Sequence, residues 1–224
     1  MTQNISIPLG DDESVSAVVS VPEDFDPGRT IGVIFAHGAN NDMNNALIKF
    51  ISQGLSNSGY LTLRFNFLYK EKGKKTPDSQ SKLVQTWQSV YRFLSTHPEF
   101  GTETIFACGK SMGGRVASQM VADGLLPVKK LVFLGYPLHA PGKKDQLRDA
   151  HLYKIAIPML FFAGTRDALC DLNALTAVLE RLRTAWDLEV IEGGDHSFRV
   201  PKASPAPQEE IYAQILRKAI KWLA

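Results

Sequence analysis

Two cysteines in 224 residues are too few for a disulfide framework, so a packed core rather than covalent staples must hold this chain. Cys108 sits in an apolar run and reads as a small buried hydrophobe, and Cys170 reads the same way at a helix start. Charge of one sign is missing as well. Against 23 Asp and Glu stand 25 Lys and Arg, and the formal net charge of +2 gives no field that would select nucleic acid or an anionic membrane. The longest apolar stretches, Leu131 to Leu134 and Met159 to Ala163, fall far short of the roughly 20 residues that span a bilayer. Met1 to Asp12 is polar and acidic with no basic start, which argues against a secretory signal and for a soluble, cytoplasmic protein. No His-Glu-x-x-His, Walker-type loop or Rossmann glycine fingerprint occurs. The expectation is no metal and no cofactor, and no feature specifies an oligomeric state.

What is present is a 44% hydrophobic chain, enough for one sizeable core and a single domain over 1–224. Apolar runs at Val15–Val21, Ile31–Ala36, Leu61–Phe65, Thr104–Gly109, Lys130–Gly135, Met159–Ala163 and Leu188–Ile191 predict about seven strands. Three- and four-residue apolar spacing predicts helices over Asn44–Ser58, Ser79–Thr96, Ser111–Asp123, Asp171–Thr184 and Gln208–Leu223. Strands alternating with helices imply an α/β fold: a mostly parallel, twisted sheet with helices on both faces and its first strand antiparallel at one edge. The lysine-rich Tyr69–Pro77 and the Pro- and Ala-rich Val200–Pro207 read as surface loops. With Lys143 and Lys144, the first of these is also placed to favour an acidic substrate or partner.

The chemistry is announced by Gly109-Lys110-Ser111-Met112-Gly113, where an apolar strand gives way to a helix start. A serine in a sharp strand-to-helix turn holds its hydroxyl above the sheet, and glycines at both ends of the motif permit the close backbone approach. Two later strands release Asp167 and His196 from their carboxyl ends, where a parallel sheet places its ligands. A serine hydroxyl needs a base within hydrogen-bond reach, and the base needs a partner that fixes its tautomer. Ser111 is therefore the expected nucleophile, His196 the base and Asp167 its orienting acid, with Asp195 a weaker rival for that last role. For the oxyanion that attack would create, the expected donors are the amides of Met112 and of Ala39, with Asn40 as the second choice for the latter. His37 reads as support for that loop, His97 as structural, and His139 and His151 as surface or supporting residues. Met43, Leu138 and His139 are the expected substrate-binding residues.

Taken together, several stretches resemble the α/β-hydrolase superfamily, and more closely a small dienelactone-hydrolase-related family that includes a testis-expressed protein and a subunit of the nuclear NSL acetyltransferase complex. The matches are His37-Gly38-Ala39 with Asp42-Met43-Asn44, Leu63-Arg64-Phe65, Gly109 to Arg115, Tyr136-Pro137-Leu138-His139, Leu147-Arg148-Asp149, Gly164 with Asp167 and Cys170, and Asp195-His196-Ser197. The resemblance runs from about Ile31 to Leu223 and implies the doubly wound hydrolase sheet with Ser111, Asp167 and His196 as its triad. Dienelactone hydrolases proper use a cysteine nucleophile, so their lactone chemistry is not carried over. In the superfamily a cap domain enters where this chain offers only Tyr136 to Ile157, too little for a large lid, with one short helix expected over Asp145–Tyr153. The expected activity is that of a metal-independent serine hydrolase, a carboxylesterase or thioesterase acting on a small-molecule acyl ester. A binding or scaffolding protein with a residual triad is the alternative from another class, and an acyltransferase or peptidase is a third reading.

Overall fold

In the strand Gly32–Ala36, Val33 and Phe35 point to one side and Ile34 and Ala36 to the other, and all four are buried, so both faces of the sheet must be covered. The computed structural model describes residues 1–10, 12–201 and 206–224. Its elements are β1 (Thr2–Gly10), β2 (Glu13–Ser20), β3 (Gly32–Ala36), α1 (Ala46–Ser56), β4 (Leu61–Phe65), α2 (Leu68–Glu71), α3 (Gln80–Thr96), β5 (Ile105–Lys110), α4 (Met112–Ala122), β6 (Leu131–Leu134), β7 (Met159–Gly164), α5 (Leu172–Leu179), β8 (Trp186–Ile191) and α6 (Gln208–Leu223). The strands form one eight-stranded sheet in the order β1-β2-β4-β3-β5-β6-β7-β8. From β4 to β8 every pairing is parallel, while β1, β2 and β4 pair antiparallel.

Helices α1 and α6 pack on the Val33 and Phe35 face, where Leu47, Ile51, Ile215 and Leu223 are buried. On the other face α3, α4 and α5 bury Trp87, Val116, Ala117 and Leu175. Side-chain caps begin three of these helices: Asn45 accepts from the Ile48 amide, Ser79 from Lys82 and Asp171 from Ala174. Because the central strands are parallel, the segments leaving β3, β5, β6, β7 and β8 all emerge at one edge of the sheet, and that edge carries the site.

The sequence reading is corrected at four places. Thr2–Gly10, polar and absent from the expected strands, is the edge strand β1; its odd positions Ile7 and Leu9 are buried while Thr2, Asn4, Ser6 and Pro8 face solvent. A one-sided edge strand needs few apolar residues and tolerates a proline. The lysine-rich loop read over Tyr69–Pro77 begins inside the one-turn helix α2, in which Leu68 and Tyr69 are buried. The helix expected over Asp145–Tyr153 reduces to a single 3₁₀ turn at Leu152–Lys154. Its backbone is engaged elsewhere, since the Arg148 amide donates to Leu138 O at 2.7 Å and Tyr136 Oη donates to Arg148 O at 2.6 Å. Helix α5 stops at Leu179 rather than Thr184, turning at Arg181 and Leu182, whose amides bond three residues back. Of the loop expected over Val200–Pro207, residues 202–205 lie outside the described residues.

Candidate active site

The turn from β5 into α4 places Ser111 at φ 50° and ψ −116°, a backbone conformation that L residues rarely adopt. Close approach of the backbones around it leaves no room for side chains. A Cβ on Gly109 would lie 2.2 Å from both Cα and N of Gly114, and one on Gly113 would lie 2.7 Å from the carbonyl oxygens of Ala36 and His37. Replacing Gly109 by alanine should therefore cost about 3 kcal/mol or more, because backbone meets backbone and no flexible side chain can yield. A urea midpoint unchanged from wild type would contradict this reading of the turn.

The structure brings Ser111, His196 and Asp167 into one hydrogen-bonded line. Ser111 Oγ lies 2.8 Å from His196 Nε2, and His196 Nδ1 lies 2.7 Å from Asp167 Oδ2. The Asp167 side chain is fully buried whereas the imidazole keeps 21% of its surface exposed. The other carboxylate oxygen, Oδ1, accepts the Leu169 amide at 2.8 Å, which fixes the plane of the acid. Two loops are drawn together for this. Arg166 N donates to Gly194 O at 2.9 Å, and a Cβ on Gly164 would fall 2.1 Å from the same oxygen. Asp195, the rival acid, accepts the amides of Ser197 and Arg199 at 2.7 and 2.9 Å and so braces its own loop.

Met112 occupies the first position of α4, where an amide has no acceptor within the helix. Across from it runs His37-Gly38-Ala39. The His37 ring is fully buried; Nδ1 donates to Gly38 O at 2.8 Å and Nε2 accepts the Phe67 amide at 3.1 Å. Asn41 N also donates to Gly38 O, at 3.3 Å. In a trans peptide the carbonyl and the next N–H point in opposite directions, so these donors turn the Ala39 N–H away from themselves. A Cβ on Gly38 would lie only 3.2 Å from Ser111 Cβ. Asn40, the second choice, is exposed at φ 61°.

Burial pushes the His37 imidazole down to about 4, well below the usual value near 6.5. The unfolded chain then binds the extra proton first. Its contribution to stability is whole above about pH 6.5 and is lost as the pH falls towards 4, by up to about 1.4 kcal/mol per unit. His151, pushed down to about 4 mainly by burial, adds to the same trend. Urea unfolding from pH 7 to pH 5 should show the decline, and His37→Gln should make it shallower, leaving the share of His151; an equally steep decline in that variant would refute the assignment to His37.

Met43 is half-buried beside this loop, its amide donating to Asn66 Oδ1 at 2.8 Å. Leu138 and His139 are corrected. Leu138 is fully buried in the core, and His139 is buried with Nε2 accepting the Asp171 amide at 3.0 Å, so both hold α5 and the β6–β7 connection in place rather than face a substrate. His97 stacks on Phe100, and His151 Nε2 lies 2.8 Å from Ser118 Oγ. Burial pushes both thiols up, that of Cys170 to about 12, so neither is a ready nucleophile at neutral pH. Among the described residues, no three His, Cys, Asp or Glu side chains converge as metal ligands, and no helix is long and apolar enough to cross a membrane.

Two residues at the site went unread in the sequence. Lys110 is 2% exposed, and its Nζ donates to the His196 carbonyl at 3.1 Å. Gly135, at φ 75°, leaves a space that a Cβ would fill to within 2.9 Å of the same carbonyl. Strand alternation was the available signal for the lysine, since Lys110 shares a face with the apolar Phe106 and Cys108.

A family described as an alpha/beta hydrolase domain matches residues 29–224. The chain belongs to the α/β-hydrolase domain family. Similar folds include a dienelactone hydrolase from Anabaena variabilis, with a TM-score of 0.76 and 20% identity over 99% of this hydrolase domain and 96% of that chain. An alpha-beta serine hydrolase homologue from Coxiella burnetii gives 0.77 at 20% identity, covering 99% and 97%. A Xanthomonas campestris member of the serine hydrolases "without lid" gives 0.74 at 18% identity, covering 99% and 94%. Among curated proteins, two from Mycobacterium tuberculosis strains named "Putative phosphoribosyl transferase" are 25% identical over 172 residues, 75% of this chain. The hydrolase domain spans 37% of the length of those relatives.

Proposed function

We propose that this hydrolase domain is a serine hydrolase that cleaves a small carboxylic ester or thioester through an acyl-enzyme on Ser111. The observation that carries the reading is the unbroken line from a strained, partly exposed serine through His196 to a buried carboxylate, with distances of 2.8 and 2.7 Å. As Ser111 Oγ bonds to the acyl carbon, its proton passes to His196 Nε2, and Asp167 steadies the imidazolium. Negative charge moves to the former carbonyl oxygen, which the amides of Met112 and Ala39 would receive. The intermediate collapses, the bond to the alcohol or thiol breaks, and the leaving group takes the proton from Nε2. Water then repeats the sequence on the acyl-enzyme and releases the acid. In this reading Met43 would touch the substrate, and the short β6–β7 connection suits a shallow, open cleft for small molecules.

The experiment is labelling with a fluorophosphonate probe, which reacts only with an activated serine. Wild type should be labelled and Ser111→Ala should not; an unlabelled, folded wild type would overturn the proposal.

A further inference from the structure

A lysine inside a hydrolase turn is expected to reach solvent, yet Lys110 is 2% exposed. Desolvating an ammonium costs several kcal/mol unless neighbouring groups compensate. The compensation here is the site itself. The carboxylates of Asp167 and Asp195 attract the ammonium and Arg199 opposes it, while burial still pushes the lysine down to about 8. Among the described residues its one hydrogen-bond acceptor is His196 O, at 3.1 Å. That carbonyl is also confined by Gly135, where any Cβ would stand 2.9 Å away.

We infer that Lys110 is a positioning residue: anchored in β5 directly before the nucleophile, it holds the main chain of His196 by its carbonyl and so sets the distance from the imidazole to Ser111. The inference rests on the serine-hydrolase reading for its effect on rate, but the geometry it asserts is independent of turnover. Lys110 is the last residue of β5 and Ser111 the first of the turn into α4, whereas His196 sits on a loop beyond β8, the edge strand of the sheet. The bond ties the main chain of the base directly to the strand that leads into the serine turn. Without it the loop can drift, and a misplacement of about 1 Å costs on the order of 10²-fold in rate.

The test is Lys110→Met, which keeps the unbranched four-atom stem and removes both donor and charge. Turnover of an activated ester should fall tenfold or more in kcat with KM within about twofold. The His196 Nδ1 proton, held against Asp167, should give a low-field proton resonance, assigned by its loss in His196→Ala, and that resonance should broaden in Lys110→Met through exchange with solvent. An unchanged kcat in folded Lys110→Met would overturn the inference, and so would a loss of rate with the resonance intact. Should the methionine variant not fold, Lys110→Leu, which likewise removes donor and charge, is read in the same way. Failure of the hydrolase reading is separable: wild type would then show the low-field resonance but take up no fluorophosphonate, and the inference would be decided on the resonance alone.

Discussion

Ser111→Ala is expected to lower turnover of an activated ester by about 10⁶-fold while leaving the fold intact, the scale seen when a triad nucleophile is removed elsewhere. The size of the effect follows from the geometry. The hydroxyl is the only group on the line from His196 that can bond to an acyl carbon, and it stands 2.8 Å from the base that must take its proton. Neither thiol can substitute, since both are buried and held protonated. Residual hydrolysis would come from any remaining oxyanion donors and binding, roughly 10³–10⁴ above water in comparable enzymes. Steady-state kinetics on a p-nitrophenyl ester measure it. A variant retaining a tenth of wild-type activity would end the case for an acyl-enzyme on this residue.

Asp167→Asn is expected to cost about 10⁴-fold in kcat, a loss far beyond that of an ordinary hydrogen bond. The reason lies in how the acid is held. Oδ1 accepts the Leu169 amide, so an asparagine would keep its carbonyl oxygen there and turn its NH₂ towards His196 Nδ1. Nδ1 must then accept, the proton moves to Nε2, and the nitrogen facing Ser111 Oγ can no longer take a proton. Fluorophosphonate labelling should slow in parallel with kcat. If labelling persists at the wild-type rate, Asp167 does not set the tautomer.

Much of the sheet was legible because central strands buried on both faces must be apolar at nearly every position. Leu61–Phe65 was bounded at both ends, and β3, β5 and β7 to within a residue. The hydrogen-bonded trio could be anticipated from its place at the ends of β5, β7 and β8. What escaped depends on contacts between distant residues. The edge strand β1 buries only one side, and its few apolar residues gave no apolar run to read. Leu138 and His139 stand near the right strand end, but the backbone turns them into the core to meet α5. Lys110 could be placed on the α6 side by alternation, yet nothing local says that its ammonium would find a carbonyl 86 residues away.

The connection between β6 and β7 has a kinetic meaning. Its middle is tied down by the Tyr136 hydroxyl on Arg148 O, by the Arg148 amide on Leu138 O and by Tyr153 Oη on Asp149 Oδ2 at 2.6 Å. Two further contacts anchor it to neighbouring elements, His139 Nε2 accepting the Asp171 amide at 3.0 Å and His151 Nε2 lying 2.8 Å from Ser118 Oγ on α4. If Ser111 is the nucleophile proposed above, access to it past this rim would be a matter of diffusion rather than of gating, and commitment to reaction would fall to chemistry at the serine instead of to the opening and shutting of a door.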